Sequence, residues 1–149
     1  MGVVTRESVT SDCTRLRVRF VPWSEAGHYT NVQKWARLFN WSAETMWQTQ
    51  RPRIYHPSWV SDPLDHWQTV AHELVHWRQQ GPTRLPTWWW CARYGVSSDF
   101  RWRMEREAYL VNIAFGMTPA VATDILQRQY MITVPREEMI AWFEAHHGV

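Results

Sequence analysis

The sequence predicts an α+β fold, in which a small N-terminal antiparallel sheet packs against a helical half that carries the candidate site. From Arg15 to Phe20 arginine and apolar residues alternate with the period of two that is typical of a half-buried strand. From Leu64 onward apolar residues recur at helical spacing in segments separated by Gly and Pro. A chain of 149 residues is long enough to bury a core, and we expect one domain, 1–149.

The N-terminal half is predicted to supply the sheet. Met1 to Phe20 is interpreted as β structure, with Val3 to Val9 pairing across a turn at Ser11-Asp12. A helix is predicted from Asn31 to Gln48. Arg51 to Pro57 is predicted to be a short strand at a sheet edge, because prolines bracket it, and its backbone could pair there with an extended peptide.

The C-terminal half is predicted to be helical, because capping residues and Gly or Pro stops separate its periodic segments. The helices are predicted over Leu64 to Gln80, Thr87 to Tyr94, Asp99 to Phe115 with Ser98 or Asp99 at its start, Pro119 to about Met131, and from Pro135 to about His146.

The first of these helices contains His72-Glu73-Leu74-Val75-His76, an H-E-x-x-H motif. Positions i and i+4 lie on one face of a helix, so His72 and His76 can direct two imidazoles at one metal ion. Zinc accepts neutral imidazole in a tetrahedral shell. Glu73 leaves the helix about 100° from His72, where a carboxylate acts as the general base of a metalloprotease.

A catalytic zinc site of this type needs a third protein ligand from another element. Glu105 and Glu107 stand out, because they lie on a helix that can pack against the motif helix. The spacing of Phe100, Met104 and Ala108 places Glu107 nearer the apolar stripe, where a charge needs a partner. The metal-binding face need not coincide with that stripe, so the residues alone leave both glutamates open.

The motif together with Gln79 and Glu105-Arg106-Glu107-Ala108 resembles zincin-like metallopeptidases that carry an E-x-x-A second helix. The Ste24/HtpX type, the ImmA/IrrE type and small phage and bacterial H-E-L-x-H-x-x-Q proteins have this arrangement, and the resemblance covers about Ile54 to Gly116. It implies a zincin-like fold with Glu105 as third ligand. The membrane-embedded relatives have Asp after the alanine, where this chain has Tyr109.

The function expected from motif and resemblance is a zinc-dependent metallopeptidase that acts on a peptide or protein substrate. Zn²⁺ would be held by His72, His76 and Glu105, with Glu73 as the catalytic base. An oxyanion donor is also needed, and three candidates stay open: Tyr109, Tyr94 and His66. The alternatives are a structural or assembly protein, for example a phage particle component, that uses a zinc-stabilised scaffold without proteolysis, and a metal-free helical binding module.

Composition limits the partners. A formal net charge of +2 does not indicate nucleic-acid binding. Among 12 tryptophans, Trp88, Trp89 and Trp90 point in three directions on a helix, so at least one is expected to contact a protein partner, a groove or another copy of the chain. The alternative is a Trp-rich packing corner. Cys13 and Cys91 form no C-x-x-C motif. No signal peptide and no membrane span are expected, so the predicted location is cytoplasmic or virion-associated.

Overall fold

A computed structural model describes residues 4–27, 42, 45–81 and 87–147, with only the backbone at 87 and 88. The chain forms two compact units, Val3–Gly81 and Pro82–Val149, the second of which includes Met1–Gly2. The described residues have α+β structure with one small sheet. The assignment of 1–149 to one domain stays a prediction.

The unit Val3–Gly81 contains two helices and the sheet. In chain order its elements are α1 (Arg6–Leu16), β1 (Arg19–Pro22), β2 (Gln48–Gln50), β3 (Arg53–His56) and α2 (Trp67–Gln80), with 3-10 turns at Trp23–Glu25 and Pro63–His66.

Helix α1 replaces most of the predicted first strand, so the β interpretation is wrong for Arg6 to Val9. The cause is a capping box: the Thr5 hydroxyl accepts the Ser8 N–H at 3.2 Å, and Ser8 Oγ accepts the Thr5 N–H at 3.0 Å. Val9 and Cys13, one turn apart, are buried. Only Arg19–Pro22, at the end of the alternating run, is a strand.

The sheet has the order β1-β3-β2 and is mixed, whereas an antiparallel sheet was expected. β1 runs parallel to β3, and β2 runs antiparallel to it. β3 is therefore the central strand, and the prediction of an edge strand at Arg51 to Pro57 is wrong. Pro52 lies in the turn before β3 and Pro57 follows it, so neither proline interrupts the hydrogen-bond ladder. Both edges of β3 are already paired, which removes the proposed peptide-pairing role for this strand.

The predicted helix from Asn31 to Gln48 lies largely outside the described residues. Its described end is wrong, because Thr45 to Trp47 are not helical and Gln48–Gln50 is β2. Below the sheet, Trp23 stacks on Tyr55 with ring centroids 4.8 Å apart. The Trp23 indole N–H donates to the Met46 carbonyl at 2.9 Å, which satisfies its polar group in the core.

Helix α2 confirms the helical prediction for the motif segment, with the first residues, Pro63–His66, wound as a 3-10 turn. Val70, Leu74 and Trp77 are buried at helical spacing. α2 packs against β2 and α1, and Arg78 forms a 2.6 Å ion pair with Asp12 of α1. The helix ends at Gln80, before Gly81.

The unit Pro82–Val149 is helical in its described part: α3 (Thr87–Val96), α4 (Ser98–Ala114), α5 (Pro119–Tyr130) and α6 (Arg136–His146). These helices agree with the prediction to within about two residues. Ser97, rather than Ser98 or Asp99, caps α4 by accepting the Phe100 N–H at 3.1 Å. Gly116, with φ +100°, makes the turn after α4.

Packing within this unit centres on α4, α5 and α6. Its core of buried apolar residues consists of Trp102, Tyr109, Ala122, Leu126, Met139 and Phe143 from these helices and Ile132 from the segment after α5. Arg101 is also buried, and its guanidinium donates to carbonyls at two helix ends: Tyr94 at 2.8 Å in α3 and Tyr130 at 2.8 Å in α5. Carbonyls in the last turn of a helix lack intrahelical partners, and a cation there is favourable. Burial lowers the pKa of Arg101.

None of the helices in the described ranges is long and apolar enough to cross a bilayer.

Candidate metal centre

His72 and His76 lie on the buried side of α2, one helical turn apart. Their ring centroids are 5.0 Å apart and the ring planes are inclined by 74°. Both side chains are buried although imidazole is polar. The i,i+4 spacing predicted this pairing correctly.

Gln79 fixes the orientation of His76. Its Oε1 lies 2.9 Å from His76 Nδ1. An amide oxygen can only accept, so Nδ1 carries the proton and Nε2 keeps a lone pair suited to a metal. Gln79 is half-buried and Gln80 is buried, although both lie at the end of α2.

Gln80 joins the end of α2 to the β2–β3 turn. It accepts the Arg51 N–H at 3.1 Å and donates to the Thr49 carbonyl at 2.8 Å. These two bonds fix the end of the helix that presents His76.

Glu73 is buried beside β2, where the Thr49 hydroxyl contacts it. Thr49 Oγ1 lies 2.8 Å from Glu73 Oε2 and 3.0 Å from the Glu73 carbonyl oxygen, so its single proton is shared between two acceptors of one residue. The carboxylate is thereby held in one orientation. Thr49 was missed by the sequence reasoning, because it lies 24 positions before Glu73 and just after the helix predicted from Asn31 to Gln48, where no motif marks it.

Glu105 and Glu107 have opposite surroundings in α4. Glu105 is 1% exposed, whereas Glu107 is exposed. The expectation that Glu107 lies nearer the buried stripe is therefore wrong. The buried face of α4 consists of Arg101, Trp102, Glu105, Ala108 and Tyr109, so two of its members are charged and a purely apolar pattern misplaces it.

Tyr94 of α3 donates its phenol proton to Oε1 of Glu105. Burial, and next the nearby Glu105 charge, raise the pKa of Tyr94 well above its ordinary value, so the phenol keeps its proton throughout the neutral range. Tyr94, one of the candidate oxyanion donors, is thus directed at a candidate ligand.

His72, His76 and Glu105 each offer one ligand atom, and these atoms all lie within 4.8 Å of one another. All three side chains are buried. Two imidazoles and one carboxylate are the donor set of a common class of catalytic zinc site, which keeps a further position for water. The residues present therefore fit a zinc ion.

The other oxyanion candidates lie in aromatic surroundings. Tyr109 is buried in the core, with its ring edge-on to Tyr130 at 6.1 Å. His66 is half-buried, with its ring centroid 5.9 Å from that of Trp47 and 5.5 Å from that of Trp59.

His56 is buried and its Nδ1–H donates to the Pro57 carbonyl at 3.0 Å.

Of the three adjacent tryptophans, Trp89 is 44% exposed and Trp90 stacks on Tyr94 at 5.1 Å. The Trp88 side chain lies outside the described residues. A protein partner at this segment stays a prediction.

Both cysteines are free thiols. Burial raises the pKa of Cys13 to about 11 and also raises that of Cys91. Neither cysteine belongs to the group of His72, His76 and Glu105.

No family model matches the chain, and neither a curated protein nor a solved structure does so. The resemblance to zincin-like metallopeptidases stays a prediction carried by the two motifs.

Proposed function

We propose that this chain is a zinc-dependent metallopeptidase that hydrolyses peptide bonds. The observation that carries the proposal is the group of His72, His76 and Glu105, whose ligand atoms lie within 4.8 Å of one another while Glu73 follows His72 directly on the same helix. Chance histidines on a helix would need neither a buried carboxylate nearby nor an adjacent glutamate.

In this proposal, His72, His76 and Glu105 hold Zn²⁺, with His76 presenting Nε2 because Gln79 accepts its Nδ1 proton. When bound, the ion supplies Lewis acidity, which polarises a carbonyl and lowers the pKa of water. A His₂Glu set with one open position suits hydrolysis, because substrate or water can occupy that position.

Glu73 acts as general base and then as general acid. Its carboxylate accepts a proton from the attacking water as the water oxygen bonds to the scissile carbonyl carbon. The same proton passes to the amide nitrogen as the C–N bond breaks, which leaves an amine and a carboxylic acid that keeps the second water proton until it ionises. Thr49 keeps the carboxylate in place, so Glu73 need not reorient between the two proton transfers.

The test compares Glu73→Gln with His72→Ala in purified protein, with zinc content and cleavage of a mixed fluorogenic peptide library as readouts. Glu73→Gln is expected to keep about one equivalent of zinc and to lose hydrolysis, because only the base is removed. His72→Ala is expected to lose both.

The matched control is Glu107→Gln, the same change at an exposed glutamate, which should retain zinc and hydrolysis. Hydrolysis by Glu73→Gln at the wild-type rate would contradict the proposed mechanism.

A second candidate is a structural or assembly protein that uses zinc as a scaffold. The Thr49–Glu73 hydrogen bond favours it, since this bond joins α2 to β2 and is useful without catalysis. In that case wild type would bind zinc and cleave no peptide, and chelation would melt the fold.

A further inference from the structure

Helices α3 and α4 are joined by reciprocal hydrogen bonds that involve Tyr94, Arg101 and Glu105. Tyr94 of α3 donates to the Glu105 carboxylate of α4. In return, Arg101 of α4 donates through Nη1 to the carbonyls of Tyr94 and Gly95, at 2.8 and 3.0 Å. Arg101 and Glu105 are one turn apart on α4, so two successive turns of α4 form hydrogen bonds with the end of α3.

The Tyr94 ring is held on its face as well. Trp90, one turn earlier in α3, stacks on it with centroids 5.1 Å apart and planes inclined by 18°. Trp90 in turn meets Phe100 of α4 edge-on at 5.8 Å. Backbone and ring of Tyr94 are therefore both constrained, and its hydroxyl has a defined position relative to Glu105.

We infer that Tyr94 is a positioning residue for the metal: its hydroxyl orients Glu105 so that this carboxylate binds zinc through one oxygen. The inference rests on the proposed function. Oε1 accepts the hydrogen bond from the phenol, and in this inference Oε2 is the oxygen that would bind the metal. Partners of ligands fix their rotamers, and their loss typically weakens metal affinity by about 10- to 100-fold.

The experiment measures the zinc dissociation constant of the full chain by competition with a chromophoric chelator. Tyr94→Phe keeps the ring that stacks on Trp90 and removes only the hydroxyl, so its affinity is expected to fall about 10- to 100-fold. Tyr55→Phe is the matched control, because it also removes a buried phenol hydroxyl, from a ring that stacks on Trp23, and should stay within about twofold of wild type.

Urea unfolding of each metal-free variant shows whether it is folded. Should Tyr94→Phe fail to fold, Arg101→Lys tests the same arrangement from α4, since it removes donors to the Tyr94 carbonyl and should also weaken zinc binding.

If wild type binds zinc and a folded Tyr94→Phe variant has the same dissociation constant, the inference is overturned and the proposed function is not. If hydrolysis then fell, Tyr94 would act on the substrate instead. Less than about half an equivalent of zinc in wild type would overturn the proposed function and this inference together.

Discussion

In the proposed mechanism the Glu73 carboxylate must face its water in one orientation, and a single side chain, Thr49, holds it there. Thr49 contacts both the carboxylate and the carbonyl of Glu73, so the hydroxyl fixes side chain and backbone together. The residues around Glu73 in the sequence do not predict its contact with Thr49. The H-E-x-x-H letters predict the roles of His72, Glu73 and His76, whereas the groups that orient them come from the fold.

We predict that Thr49→Val lowers peptide hydrolysis about tenfold or more and leaves zinc content unchanged, because the carboxylate loses its hydrogen bond but no ligand is removed. Unfolding stability should fall by about 1 kcal/mol for the lost bond. Steady-state kinetics, zinc analysis and urea unfolding check this. Thr49→Ser keeps the hydroxyl and should remain close to wild type; equal activity in Thr49→Val would show that the contact does not position the base.

Among the elements, the helices of Pro82–Val149 were predictable because capping residues, Pro or Gly mark where they begin or end. Thr118 and Pro119 begin α5, and Gly116 allows the positive φ that the turn after α4 requires. α1 was missed because alternation after Arg15 outweighed the Thr5–Ser8 capping box, which is a shorter signal.

Ser97→Ala should lower the free energy of unfolding by about 1 kcal/mol, because the Phe100 N–H at the start of α4 loses its acceptor. Thermal or urea denaturation measures the change. Ser97→Asp keeps a side-chain acceptor at the same cap and should lose little. A loss of equal size in both variants would refute the capping explanation.

For the molecule as a whole, the proposed chemistry depends on residues that are far apart in sequence. β1 pairs with β3 across the segment that contains β2, and sequence periodicity does not encode such pairing. Periodicity also failed to identify the candidate third ligand. The buried face of α4 includes the charged residues Arg101 and Glu105, so a pattern of apolar residues alone does not locate it. The position of Glu105 in the E-x-x-A motif favoured Glu105 as the ligand, whereas the periodicity of apolar residues favoured Glu107.

The most direct measurement is the zinc content and zinc affinity of three proteins: wild type, Glu105→Ala and Glu107→Ala. The two variants carry the same change two residues apart on one helix, at a buried and an exposed glutamate. The proposed site predicts about one equivalent of zinc in wild type and Glu107→Ala, and a loss of tight binding in Glu105→Ala. Zinc retained at wild-type affinity in Glu105→Ala, or lost in Glu107→Ala, would contradict it.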